Sequence, residues 1–136
     1  MISKKCTYAI KAVLALARRH GAGPMTIQQI AEAQDIPARF LEAILRDLKQ
    51  NGFTESIRGK EGGYLLSRPP REISLGEVIR AMEGPLLQGD SESAVFAEIW
   101  AEASRRIDAL LDPIDFQELL RREDLRRQVH IHDYTI

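Results

Sequence analysis

The chain has 136 residues, of which 44% are hydrophobic and 29% charged, so it can form one domain with a substantial core. No apolar run approaches the roughly 20 residues that cross a bilayer, and a single cysteine excludes an internal disulfide, so a soluble cytoplasmic protein is expected. The net charge of -1 conceals an asymmetry, because residues 1–71 carry 12 Lys and Arg against 6 Asp and Glu, whereas residues 72–136 carry 7 against 14. A basic half is typical of a phosphate-binding surface.

The first predicted helix runs from Lys4 to His20 and is ended by Gly21. Its apolar residues recur at spacings of four, three and four, namely Cys6, Ile10, Val13 and Ala17. This stripe predicts a buried, inert Cys6. The alternative is a redox sensor, which Lys4 and Lys5 favour weakly, because positive charge near a helix start lowers the pKa of a thiol.

Two further helices follow, joined by a tight turn. Thr26 and Gln29 form a capping box that starts the first of them, and the Asp-Ile-Pro sequence at 35–37 ends it, because the residue before a proline avoids helical angles. The second helix begins at about Pro37 and stops at Asn51 and the glycine after it. The i, i+3, i+4, i+7 spacing predicts its buried stripe, which is Leu41, Ile44, Leu45 and Leu48.

The opposite face of this second helix is able to enter a DNA major groove. Side chains near the start of a recognition helix meet base edges, and later ones meet phosphates. An ordinary solvated face is the alternative, since any amphipathic helix looks like this. The face consists of Arg39, Glu42, Ala43, Arg46 and Lys49. Phe40 either packs inward or touches a thymine methyl group, and the spacing leaves both open.

A glycine-tipped hairpin is predicted next, with strands over residues 53–58 and 64–66 around the sequence GKEGG. Arg58 and Lys60 lie at or beside its tip, where a wing reaches phosphates or the minor groove. A phosphate-binding P-loop is excluded, because that motif needs four residues between its glycine and a GK followed by Ser or Thr. The order of helix, turn, helix and charged hairpin predicts a winged helix-turn-helix.

A supporting helix, a loop and a long helix complete the predicted pattern. Ser74 and Glu77 form a second capping box, the helix closes at Gly84, and residues 85–93 form a polar loop. From Ala94 to Leu111 the apolar residues form a heptad seam, which favours packing against a second copy over packing within one chain. The seam consists of Phe96, Ile99, Trp100, Ala103, Ile107 and Leu110.

The last segment is predicted to be a short helix and a polar tail. Asp112 is expected to cap this helix, with Pro113 at its first position. Candidate metal ligands in the tail are His130, His132 and Asp133. Two histidines without a third fixed ligand are a poor site, so a solvated tail is favoured and no metal is expected. With no dinucleotide-binding glycine motif and no histidine placed beside the cysteine, an enzyme is not expected.

The segments YAIKAVLALA, IAEAQDIPARFLEAILRDLKQNGF, SIRGKEGGYLLSRPP and ISLGEVIRAMEG together resemble the Rrf-two family of bacterial winged-helix transcription regulators. The match covers residues 1 to about 84, and RGxxGGYxL is its most specific part. The resemblance implies a mainly α fold with a small β-hairpin wing, dimerisation through the long helix, and DNA contacts from the first helix. The candidate DNA-binding residues are Lys4, Lys5, Thr26, Gln28, Arg39, Phe40, Glu42, Ala43, Arg46, Arg58, Gly59 and Lys60.

Cluster-binding members of this family carry three cysteines in and just after the loop, where their thiolates ligate an iron–sulfur cluster. The corresponding segment here, LLQGDSESAVFAEI, contains none. With Cys6 the only cysteine, the family iron–sulfur cluster is not expected, and no other cofactor is indicated. The signal is then a small effector, a protein partner or oxidation of Cys6.

The sequence therefore predicts a DNA-binding domain at 1–84, a loop at 85–93, dimerisation helices at 94–125 and a polar tail at 126–136. The predicted function is that of a dimeric regulator, expected to repress, that binds a palindromic operator in double-stranded DNA. The alternative is a winged-helix adaptor that binds another protein without DNA contact. An adaptor does not need four basic residues around one face, and those four are Arg39, Arg46, Arg58 and Lys60.

Overall fold

The computed structural model describes residues 2–85, 87 and 93–134, with side chains described as far as residue 129. The helices of this part of the chain are α1 (Lys4–Arg18), α2 (Ile27–Gln34), α3 (Ala38–Gln50), α4 (Leu75–Glu83), α5 (Ala94–Leu111) and α6 (Phe116–Tyr134). Strands β1 (Thr54–Ile57) and β2 (Gly63–Leu66) form an antiparallel hairpin, and a short 3-10 helix covers Pro70–Glu72. The predicted fold class, mainly α with a hairpin wing, is confirmed.

Helix α1 lies at the centre of the core and packs against α2, α3, α4 and α6. Its inward positions are mostly alanine, which lets the neighbouring helices approach closely. Helix α3 fills the space opposite with the stripe predicted from the sequence, and burying a leucine or isoleucine stabilises a fold by about 1.5–3 kcal/mol. The fully buried large side chains are Val13, Ile30, Leu41, Leu45, Leu48, Ile73, Val78 and Phe116.

The turn between α2 and α3 is built as predicted. The Thr26 hydroxyl accepts a hydrogen bond from the Gln29 N–H at 3.1 Å, and the Gln29 side chain accepts one from the Thr26 N–H at 3.0 Å. At the other end Asp35 takes a left-handed conformation with φ 53°, which stops α2. Helix α3 starts directly after Pro37, so the two helices share a tight corner.

The hairpin is fastened to the start of α2 by backbone hydrogen bonds. The Met25 N–H donates to the Tyr64 carbonyl at 2.8 Å, and the Tyr64 N–H donates to the Met25 carbonyl at 2.7 Å. This pairing needs a glycine at position 63, because a Cβ atom there would collide with the Met25 backbone. The φ angle of Gly63 is +152°. The last glycine of the GKEGG sequence therefore permits a close approach of the wing base to the helix pair.

Helices α4 and α5 meet at a charged corner. Arg80 donates to Asp112 at 2.7 Å and to Asp108 at 3.0 Å, so one guanidinium on α4 holds the last turn of α5. Gly76 faces the same corner, and a Cβ atom there would collide with the Asp112 carboxylate. The absence of a side chain at position 76 thus leaves room for the Asp112 carboxylate beside Arg80.

The predicted cap at Asp112 with Pro113 at the first helical position is wrong. Asp112 directly follows the last residue of α5 and keeps a helical conformation, and α6 is capped instead by Asp115, whose carboxylate accepts from the Glu118 N–H at 2.8 Å. After a turn at Pro113, Ile114 and Asp115 lie beside the residues before α4. The Leu75 N–H donates to the Ile114 carbonyl at 2.7 Å, and the Phe116 N–H donates to the Ile73 carbonyl at 3.1 Å. This pairing delays the helix by three residues.

Helix α6 continues to Tyr134, through most of the segment predicted to be a polar tail. Glu118 pairs with Arg121 and Arg122 at 2.6 and 2.9 Å, three and four residues further along the helix, and such pairs support an exposed helix. Arg18, at the end of α1, binds Glu123 at 2.6 Å and so attaches α6 to the core helix. No helix in the described ranges is both long enough and apolar enough to cross a membrane.

Candidate nucleic-acid interface

The outward face of α3 carries candidate DNA-binding residues predicted from the sequence. Leu41 and Leu45 are buried beneath it, which turns Arg39, Glu42 and Ala43 outward, and all three are exposed. The buried stripe of α3 fixes the rotation of the helix about its own axis; it consists of Leu41, Ile44, Leu45 and Leu48. The structure therefore presents the first two turns of α3 to solvent, as a groove-reading helix requires.

Glu42 and Arg46 lie one turn apart on this face. Their carboxylate and guanidinium groups are 3.8 Å apart, and both side chains are more than half exposed. An exposed pair of this kind contributes only about 0.3–0.5 kcal/mol. Either group can therefore exchange its partner for a base edge or a phosphate at little cost.

The sequence left open whether Phe40 packs inward or touches a thymine methyl group, and the structure leaves its side chain partly packed and partly exposed. It is 42% exposed and stacks beside Tyr8 of α1, with ring centroids 6.0 Å apart and planes inclined by 22°. The guanidinium of Arg39 lies over the Phe40 ring, 4.8 Å from its centroid. Tyr8 was not singled out from the sequence, because its spacing from the α3 residues has no local signal. The stack restrains Arg39 at the start of α3.

The two lysines at the start of α1 differ in their surroundings. The Lys5 ammonium forms a 2.6 Å ion pair with Asp47 of α3, so its charge is compensated and it ties the two helices together. The Lys4 ammonium lies 5.7 Å from the centroid of the Tyr8 ring. Lys4 is thus the better placed of the two for a phosphate, while Lys5 also fixes α1 against α3. Both assignments to DNA stay predictions.

The wing extends its charged tip into solvent. Arg58, Gly59 and Lys60 are all exposed, beyond the last paired residues of β1 and β2. At the wing base, Lys49 of α3 donates to the Ser56 hydroxyl at 2.7 Å, so this lysine links α3 to β1. Through the Met25 pairing described above, the start of α2 lies beside the wing, and Thr26 and Gln28 are exposed there.

Cys6 lies in the core and not on this face. It has no exposed surface, which confirms the predicted burial. Burial, together with the charge of and a hydrogen bond to the Glu83 carboxylate, raises the pKa of the Cys6 thiol to about 11. A thiol that stays protonated at neutral pH is a poor nucleophile and a poor metal ligand.

Metal-binding groups are lacking elsewhere in what the structure describes, where no three His, Cys, Asp or Glu side chains converge. The candidate ligands His130, His132 and Asp133 have side chains outside that part of the chain. The loop predicted at 85–93 also lies mostly outside it.

Helix α5 exposes an apolar strip. No residue of α5 is buried in the described structure, although its sequence is apolar at regular intervals. Phe96 is 57% exposed, Ile99 50%, Trp100 39% and Leu110 68%, whereas Ala103 and Ile107 are partly covered. Contiguous apolar side chains left in water mark an interaction surface. The residues assigned to a dimer seam are therefore available to a partner.

Comparison with known proteins places the chain among bacterial regulators. A family model described as "Rrf2: Iron-dependent Transcriptional regulator" matches residues 2–122. A putative HTH-type transcriptional regulator, rrf2-like, of Rhodobacter capsulatus is 46% identical over 89 residues, which are 63% of this chain and 59% of that protein. The HTH-type transcriptional regulator IscR of Escherichia coli is 32% identical over 97% of this chain and 89% of its own length. The structure of CymR, the global cysteine regulator of Bacillus subtilis, superposes with a TM-score of 0.75 at 31% identity, covering 88% of this chain and 95% of that one.

Proposed function

The chain belongs to the Rrf2 (Rrf-two) family and is a DNA-binding transcriptional regulator, and from that premise we propose that it works as a homodimer on an inverted-repeat operator, with one α3 in each half-site. The observation that carries the proposal is the exposed face of α3. It presents Arg39, Glu42 and Arg46 in consecutive turns beside a wing that ends in Arg58 and Lys60. Such a surface combines base-reading groups with phosphate-binding groups.

The dimer is proposed to form through α5. Its apolar strip has the heptad spacing of helices that pack in pairs, and its large side chains are exposed in the single chain. A second copy supplies a matching strip by two-fold symmetry. The same two-fold axis would relate the two α3 helices and the two wings, as the two halves of a palindromic operator are related.

Within each subunit the contacts divide into two kinds. Arg39 and Glu42 at the start of α3 are proposed to read base edges, because arginine pairs with guanine and a carboxylate accepts from the cytosine amino group. Arg58 in the wing and Lys4 in α1 are proposed to bind phosphates, because both lie at the periphery of this face. Glu42 on an otherwise basic surface therefore acts by selecting bases and not by adding affinity.

The family iron–sulfur cluster does not fit this chain. Such clusters are held by several thiolates, whereas this sequence has one cysteine and the structure buries it with a raised thiol pKa. We therefore propose regulation by a small effector or a protein partner, without a resident cluster. We also propose that the protein is not an enzyme. As a regulator of chromosomal genes, it would act in the cytoplasm.

Selection of genomic DNA by the purified protein tests this function. Sheared DNA from the source organism is incubated with the protein at low salt, and the recovered fragments are sequenced. An enriched inverted repeat, lost in an Arg39→Gln Glu42→Ala double variant, is the expected result, because these side chains face the bases. Recovery of DNA without any shared repeat would contradict sequence-specific binding. Recovery of none would favour the protein-binding adaptor, which the basic face of α3 otherwise disfavours.

A further inference from the structure

A groove of about 480 Å³ separates the start of α1 from the exposed side of α3. Its floor is apolar and is formed by the rings of Tyr8 and Phe40, with Ala43 and Ile44 of α3 beside them. This volume lies in the range of sites that accept small molecules, which are mostly apolar with a few fixed polar groups.

Positive charge lines the rim of this groove. Lys4, Lys5 and Arg39 line it, and none of its lining residues is acidic. Lys5 is neutralised by Asp47, but Lys4 and Arg39 make no ion pair with any described residue. Each of these two cations instead lies against an aromatic ring, Lys4 against Tyr8 and Arg39 against Phe40. Two uncompensated cations above an aromatic floor favour a ligand that is anionic at one end and flat and apolar at the other.

We propose that this groove binds a small aromatic carboxylate, and that the bound carboxylate competes with DNA. The ring of the ligand would lie on the Tyr8 and Phe40 rings, where edge and face contacts of aromatic groups are favourable. Its carboxylate would meet Arg39, whose planar guanidinium can donate two parallel hydrogen bonds, with Lys4 nearby. The chemistry of the groove thus selects both parts of the ligand.

Competition follows from the position of Arg39. The same guanidinium is proposed to read a base edge, so it cannot be engaged by the carboxylate and by DNA together. A ligand in the groove would also cover Phe40 and Ala43, which lie on the DNA-reading side of α3. The competition rests on the proposed function, whereas binding of the carboxylate to the free protein does not.

The test uses 1-naphthoate as the probe and the neutral 1-naphthamide as its matched control. Titration of the full-length protein without DNA is followed by two-dimensional 1H–15N NMR. Naphthoate is expected to shift amides of residues 4–8 and 39–44, and naphthamide to shift them at least fivefold less at equal concentration. Arg39→Gln is expected to weaken naphthoate binding roughly three- to tenfold, because an ion pair reinforced by hydrogen bonds is lost. Lys11 also lies on α1 but does not line the groove, so Lys11→Gln, which likewise removes one positive charge, should leave naphthoate binding unchanged.

A second arm measures DNA binding by fluorescence anisotropy on the operator recovered from genomic selection. At ten times its own Kd, naphthoate should raise the apparent Kd for DNA about elevenfold for each groove that must be empty, which is about 120-fold for the proposed dimer. Shifts centred on α5, or equal binding of naphthamide, would overturn the groove as an anion site. Groove binding without any change in DNA affinity would overturn the competition. Failure to recover an operator would count against the proposed function alone, because the NMR titration contains no DNA.

Discussion

The carboxylate of Glu83, on the last turn of α4, accepts hydrogen bonds from both the backbone N–H and the side-chain hydroxyl of Ser3. The backbone bond is 2.7 Å long. The Ser3 oxygen in turn accepts from the Cys6 N–H at 3.1 Å and so caps α1. One carboxylate therefore organises the first turn of α1, where Lys4 lies beside the recognition helix. The end of α4 and the DNA-facing surface are connected through two residues.

Replacing Ser3 by alanine should lower the free energy of unfolding by about 1 kcal/mol, because loss of a helix cap leaves a backbone donor without its acceptor. Urea denaturation followed by circular dichroism measures the change. Ser3→Thr keeps the capping hydroxyl and should remain near the parent protein. Equal losses in the two variants would mean that the hydroxyl is not what stabilises α1.

Alkylation of Cys6 in the folded protein should remain slow at neutral pH and should keep accelerating beyond pH 9, because its thiol pKa is about 11 against an ordinary value of 9.0. The reaction with iodoacetamide, followed by mass spectrometry between pH 7 and 11, measures this. Since the fold favours the protonated thiol, stability should fall as the pH rises from 9 towards 11. Glu83→Gln removes a charge that raises the pKa and should shift the alkylation profile to lower pH.

Cys6→Ser should keep normal DNA affinity in both reducing and oxidising buffers, because the buried thiol is not available to an oxidant. Anisotropy titrations with and without peroxide make the comparison. Peroxide sensitivity in the parent protein that disappears in Cys6→Ser would identify Cys6 as the sensor and reverse this expectation.

The substitutions Arg58→Ala and Glu42→Ala should have different effects on DNA binding. The wing variant loses a phosphate contact, so its affinity should fall on specific and random DNA alike, and its salt slope should become shallower by about 1. The α3 variant should instead change which base is preferred at one operator position. Binding to an operator library at several salt concentrations separates the two effects. Identical profiles would remove the proposed division between wing and helix.

The double substitution Trp100→Ala Ile107→Ala should convert the proposed dimer into a monomer. Trp100 is 39% exposed and Ile107 is only partly covered in the single chain, so the subunit core should survive and the monomer should remain folded. Light scattering gives the mass and circular dichroism the helix content. A persistent dimer would move the interface away from α5.

Features that depend on neighbouring residues were predictable. The capping boxes at Thr26 and Ser74 need only a hydroxyl and a matching side chain three residues later, and both are present. The Leu41 stripe and the glycine-tipped wing likewise follow from local spacing. These patterns satisfy backbone donors or bury side chains within one element, so the rest of the fold does not alter them.

Features that depend on distant partners were not predictable. The cap moved from Asp112 to Asp115 because residues after α5 pair with residues before α4, some 40 positions earlier. Pairing of Lys5 with Asp47, and stacking of Phe40 on Tyr8, likewise join α1 to α3 across about 30 to 40 residues. A single sequence contains the residue types of such contacts but not their proximity.

The corner at which Arg80 holds Asp108 and Asp112 sets the direction in which α5 leaves the DNA-binding part of the subunit. An 18-residue helix is about 27 Å long, so a change of about 10° at that corner would displace its far end by about 5 Å. Successive base pairs are about 3.4 Å apart, so this displacement exceeds one base-pair step. In a dimer joined along α5, the angle at the Arg80 corner would therefore set the distance between the two DNA-binding parts. The spacing between operator half-sites that each homologue tolerates should vary with the residues at this corner, even when its α3 residues are identical.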